Sequence, residues 1–204
     1  ELRNVGFSRF DRFFHPDIRN IRFDDFVEKD IPAAIDFVLE ITGAEKVHWV
    51  GHSMGGMIGY AICQFETAEK IKSACSIAGP GHLKHLKRPL MSLIRIAFLA
   101  RPFPMFHQAF WMKVYVPVAR WIKGGFLAGS LFNPKVMGEQ ERMTAAVNLV
   151  TDLPFSLLMQ FGQWIRFGEI FHAEGYGYSA NYEKIEVPFL FVSGEKDVLA
   201  PYDT

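Results

Sequence analysis

Gly51-His52-Ser53-Met54-Gly55 sets a serine hydroxyl between two glycines, directly after a β-branched apolar run and directly before a helical one. A serine hydroxyl is a weak nucleophile until a neighbouring base takes its proton, so its surroundings decide what it can do. A tight, strained turn between strand and helix lifts such a hydroxyl clear of the backbone. That turn calls for small residues two before and two after the serine. A helix beginning at once aims its free N–H groups and dipole at developing negative charge. The main-chain N–H of Met54 is therefore the expected oxyanion donor. His52, though adjacent, is expected to point away from Ser53 and to give packing support.

A serine of this kind works with a base that a carboxylate orients. Gly194-Glu195-Lys196-Asp197 follows the apolar run 187–192 and puts Asp197 where that carboxylate belongs. Glu195 and Asp203 are the alternatives, and a second reading has Asp197 capping a helix begun near Pro201. His82 and His85 invite comparison with a metal site. They stand beside Lys84, Lys87 and Arg88 with no nearby carboxylate or cysteine, a poor ligand set. No metal and no cofactor is expected, and the basic cluster reads as a solvated edge.

The elements that must hold these groups follow from periodicity. Val27, Ile31, Ile35, Val38 and Leu39 recur at helical spacing, with a start near Asp25-Phe26-Val27-Glu28, a kink or first turn at Pro32, and a stop at Gly43. Residues 46–50 read as a strand, 57–65 as a buried helix, and 71–78 as a second buried strand ending at Gly79-Pro80-Gly81. Strand and helix in alternation indicate a parallel sheet with crossover helices. From 82 to 186 the strands vanish and helical segments rich in Phe, Trp, Met and Leu take over, before 187–192 resumes as a strand. The expected organisation is a sheet domain over 1–81 and 187–204, interrupted by a helical insertion over 82–186.

Bulk composition narrows the function. Of 204 residues 50% are hydrophobic, enough for a sizeable core, and 22 basic residues balance 22 acidic ones. That balance gives no basic surplus for a nucleic-acid partner. Cys63 and Cys75 read as buried thiols rather than a disulfide framework, and they leave the compartment open. No apolar run is long enough for a spanning helix.

With the elbow and the acid placed, the chain resembles the α/β-hydrolase superfamily over nearly its whole length. The stretch from Phe23-Asp24-Asp25-Phe26 through Asp30-Ile31-Pro32-Ala33-Ala34-Ile35-Asp36-Phe37, then Thr42-Gly43 and Val50-Gly51-His52-Ser53, is similar to the equivalent part of acid lipases and their bacterial relatives. Met54-Gly55-Gly56 departs from the Gln and Gly-Thr usual in that group and resembles general esterases. The resemblance implies a mostly parallel sheet with helices on both faces and an inserted helical cap. It also implies the chain order serine, acid, histidine, yet no histidine follows His172. The first strands, the second oxyanion donor and the catalytic histidine are accordingly expected outside this sequence.

What the resemblance implies is ester hydrolysis through an acyl-enzyme on Ser53, with a hydrophobic acyl group. Phe106, Phe110 and Trp111 are the candidate acyl contacts, and the segment 155–164 is a further one; the plainer reading makes these residues the insertion's own core. A membrane surface is a candidate peripheral contact for the cap. Acyl transfer by the same triad and lipid carriage without catalysis are the alternative functions.

Overall fold

The computed structural model describes residues 2–3, 8, 20–86, 105–107, 110, 113–114, 135–148 and 151–203. In chain order the strands are β1 (Val47–His52), β2 (Ile71–Ile77), β3 (Met105–Phe106), β4 (Leu153–Pro154) and β5 (Phe189–Val192). Among the described residues β1, β2 and β5 form one parallel sheet in that order, and β3 pairs antiparallel with β4. β1 runs two residues further than the apolar run alone suggests, because Gly51 and His52 continue the ladder opposite Ser76 and Ile77. β5 begins late because Pro188 has no N–H to pair. Its carbonyl still accepts the Ala74 N–H at 2.9 Å.

The first helix is built in three parts. α1 (Phe23–Asp25) passes through a π-turn (Phe26–Asp30) into α2 (Ile31–Thr42). It starts two residues ahead of the expected Asp25. Asp25 is its third residue and reaches back, Oδ2 accepting the Arg22 N–H at 2.9 Å. The π-turn widens the helix just before Pro32, which has no N–H to offer the preceding turn. Gly43, at φ 67°, ends α2 with its N–H on the Leu39 carbonyl.

α3 (Met54–Ile62) packs on the sheet face formed by Trp49, Gly51, Ala74, Ser76, Phe189 and Phe191. α4 (Glu139–Asn148) and α5 (Phe155–Phe167) come from the stretch read as insertion. Leu157, Trp164 and Ile165 of α5 share one hydrophobic cluster with Phe23, Phe26, Ile58 and Ile62. The Phe23 ring meets Trp164 edge-on at 5.0 Å. Each such fully buried side chain stabilises the fold by about 1.5–3 kcal/mol. Segment 155–164 thus has its largest rings in the same core as the first helix.

A carboxylate is buried in that core. Asp24 accepts hydrogen bonds from Gln160 Nε2 at 3.0 and 3.1 Å, the Ala173 N–H at 3.0 Å and the Tyr178 hydroxyl at 3.1 Å. Gln160 Oε1 in turn accepts the Phe23 N–H at 2.9 Å. Burial first, then the Asp24 charge, pushes the Tyr178 hydroxyl well above its ordinary range. On the sheet face away from α3, Val50, Ile77, Leu190 and Val192 are exposed among the described residues. Cys63 is buried, and burial pushes its thiol up to about 12; Cys75 is only half-buried, on the open face.

Candidate active site

Ser53 joins β1 to α3 at φ 52° and ψ −115°, a left-handed conformation that costs a non-glycine residue about 1–3 kcal/mol. Three hydrogen bonds hold it there. The Ser53 N–H donates to the Ile77 carbonyl at 2.9 Å, and the Ser53 carbonyl accepts the N–H groups of Gly56 and Met57. The side chain is exposed at the C-terminal edge of the sheet. Met54 opens the helix, and its N–H has no acceptor among the described residues. That leaves a donor at the positive end of α3, next to an exposed hydroxyl.

The glycines divide their work differently from expectation. A Cβ on Gly51 would lie 2.1 Å from the Gly55 carbonyl oxygen, so this glycine is required by the turn. A Cβ on Gly55 would meet nothing within 4 Å. The second tight position is Gly56, where a Cβ would sit 2.2 Å from Ser76 Oγ and 3.1 Å from the Gly79 Cα. Close packing of α3 on the end of β2, rather than the turn alone, demands small residues here.

Asp197 lies just beyond β5, at the same edge of the sheet as Ser53. With β2 between them, β1 and β5 are about 10 Å apart. Asp197 Oδ1 accepts the main-chain N–H groups of Leu199 at 2.8 Å and Ala200 at 3.0 Å. It therefore closes a turn, and residues 201–203 form no helix for it to cap. Its Oδ2 accepts nothing among the described residues.

Among the described residues no histidine is hydrogen-bonded to Ser53. His48 and His52 are exposed on β1, so His52 does not pack as expected; His48 Nδ1 is 2.7 Å from Ser73 Oγ. His172 Nε2 is 3.0 Å from Glu28 Oε1 and 3.9 Å from Asp24 Oδ2. Its ring abuts Tyr178, which packs on Phe65 beyond the C-terminal end of α3. The nine residues of α3, about 14 Å long, separate that end from Ser53, so His172 is not placed to be its base. His85 Nε2 is 3.0 Å from the Leu199 carbonyl, and His82 Nδ1 is buried without a partner among the described residues. Burial, then Lys84 and His85, hold the His82 imidazole below its ordinary range.

The acyl candidates are only partly described. Phe106 lies in β3, Phe110 is exposed, and Trp111 falls outside the described residues, as do Lys87 and Arg88. A cavity of about 520 Å³ opens between α3, the turn Ser179–Lys184 and β5, walled by Tyr60, His82, Tyr182, Phe189 and Phe191 among others. Ser53 is not in its wall.

The reading from sequence missed one group at the site. The Tyr60 hydroxyl donates to the Gly79 carbonyl at 2.8 Å and shares a 2.7 Å hydrogen bond with the Ser76 hydroxyl. Tyr60 looks like one more member of an apolar helix, so its only signal is a polar tip in a run that is otherwise buried.

Comparison with known proteins agrees with this geometry. The model of the α/β hydrolase fold family matches residues 1–119, a span that includes Ser53 and Met54 and ends before Asp197. Gastric triacylglycerol lipase of Rattus norvegicus is 34% identical over 122 residues, 56% of this chain and 29% of the relative. Triacylglycerol lipase 2 of Arabidopsis thaliana is 30% identical over 102 residues, 48% of this chain and 24% of the relative. Lysosomal acid lipase/cholesteryl ester hydrolase of Rattus norvegicus is 32% identical over 103 residues, 50% of this chain and 25% of the relative. The chain thus spans less than a third of the length of these relatives. By fold, by the turn at Ser53 and by the family match, the chain belongs to the α/β hydrolase fold family.

Proposed function

We propose that Ser53 is the nucleophile of a carboxylic ester hydrolase, and that Asp197 orients its base. The observation that carries this reading is the left-handed Ser53 at the end of β1, with the unspent Met54 N–H beside it. In the proposed reaction a histidine from outside these 204 residues takes the Ser53 proton as Oγ attacks the ester carbonyl. The carbonyl π electrons move onto oxygen, where the Met54 N–H and a second donor hold them. Collapse expels the alcohol, which takes the proton from the histidine, and water then releases the acid by the same steps. Asp197 Oδ2 is the oxygen left to orient the imidazole, Oδ1 being committed to its turn.

The relatives named as triacylglycerol lipases support an ester with a hydrophobic acyl group. Phe106, Phe110 and Trp111 are the proposed acyl contacts. On this reading the 204 residues alone turn over no ester. The test is hydrolysis of esters of increasing acyl length by the whole protein and by Ser53→Ala. Loss of activity in the variant, with a preference for longer acyl groups in the parent, supports the reading. An equally active variant refutes it, and a parent that transfers acyl groups to an added alcohol in preference to water replaces hydrolysis with acyl transfer.

A further inference from the structure

The end of β2 presses directly on the nucleophile turn. A Cβ on Gly79 would lie 2.9 Å from the Gly56 Cα and 3.1 Å from the Ser53 carbonyl oxygen. The neighbouring Ala78 holds φ 51° without being glycine, and its N–H donates to the Val192 carbonyl at 2.7 Å. A strained loop of this kind persists only where its surroundings over-determine it. What turns the Gly79 carbonyl inward is the Tyr60 hydroxyl, itself held by Ser76, which is 1% exposed.

We propose that Tyr60 and Ser76 are positioning residues for the nucleophile: their paired hydroxyls fix the Ala78–Gly81 loop against Ser53. This rests on the reading of Ser53 as the nucleophile. Tyr60 stands on α3, the helix that Ser53 begins, and its ring is seated on Phe189 at 5.2 Å and Phe191 at 5.8 Å. One side chain therefore ties the helix behind the nucleophile to the loop in front of it and to the strand that leads to Asp197. Loss of the phenolic oxygen leaves the half-buried Gly79 carbonyl without its donor, and the loop relaxes away from the turn. Ser76→Ala is milder, because Tyr60 keeps its bond to Gly79.

Tyr60→Phe keeps the ring contacts, so the variant folds. Hydrogen exchange on the 204-residue chain reads the clamp without needing catalysis. Amides of 51–57 and 77–82 should exchange about tenfold faster in Tyr60→Phe, while those of 33–42 are unchanged. Uniform acceleration, or none, overturns the proposal. In the whole protein the variant should lose about tenfold in kcat with KM held, and Ser76→Ala less. A rise in KM alone, or an unchanged kcat, overturns the positioning role. If Ser53→Ala hydrolyses esters like the parent, the nucleophile reading fails and with it the positioning role, even where exchange shows the clamp itself.

Discussion

Asp197 Oδ1 receives the Leu199 main-chain N–H at 2.8 Å, so the carboxylate expected to serve catalysis also holds its own loop. The two duties fall on different oxygens, and substitutions separate them. Asp197→Asn keeps an acceptor oxygen for the turn but removes the charge that stabilises an imidazolium. Its kcat for ester hydrolysis should fall about 10⁴-fold with the melting temperature little moved. Asp197→Ala should lose the activity and loosen the loop as well. Near-parental kcat in the Asn variant would move the acid to Glu195 or Asp203.

Gly51 and Gly55 flank the serine symmetrically in sequence but not in space. Gly51→Ala drives a methyl into the Gly55 carbonyl and should destabilise the chain by about 3 kcal/mol in denaturant unfolding. Gly55→Ala meets open space in a helix and should be neutral or up to about 1 kcal/mol stabilising. Equal losses at the two positions would contradict this geometry.

Asp24 and Asp36 are both carboxylates of the first, three-part helix, with very unequal expected consequences. Asp24→Asn presents an NH₂ to donors from Gln160, Ala173 and Tyr178, and should cost about 1–3 kcal/mol in equilibrium unfolding. Asp36 pairs with Lys70 at the surface, both side chains about half exposed, and Asp36→Asn should stay within about 0.5 kcal/mol of the parent. The reverse ranking would place the anchor of α5 elsewhere.

Asp25 gives the fold a defined acid sensitivity. Burial pulls its pKa upward, but the Lys29 hydrogen bond, the Arg22 N–H and the charges of Lys29 and Arg3 together hold it below the ordinary 3.8. A depressed carboxyl contributes stability that is complete above the unfolded value and lost as pH falls through the folded one. Between about pH 5 and pH 3, Asp25→Asn should therefore lose less stability than the parent, measured by urea midpoints. Parallel losses in the two proteins would remove Asp25 from the acid response.

The turn at Ser53 is legible in sequence because its constraint is local: strand, glycine, serine and helix within a few residues. The same locality explains β1, β2 and the Gly43 stop. Asp24 is not legible, since beside Asp25 it looks like an ordinary helix-start acid. Its partners Gln160, Ala173 and Tyr178 lie 136 to 154 residues away. The Tyr60–Ser76 pair escapes for a related reason, because it depends on how α3 lies over β2. Gly55 shows the opposite error: a glycine credited to the turn has free space around it, and the crowded position is Gly56.

The most direct test of the account is covalent. The whole protein is treated with a fluorophosphonate, which reacts with activated serines, and then digested and mapped by mass spectrometry. The account predicts a single adduct on Ser53, formed in step with loss of esterase activity, and none in Ser53→Ala. An adduct on another serine that tracks the loss, or esterase activity that persists with Ser53 modified, would contradict it.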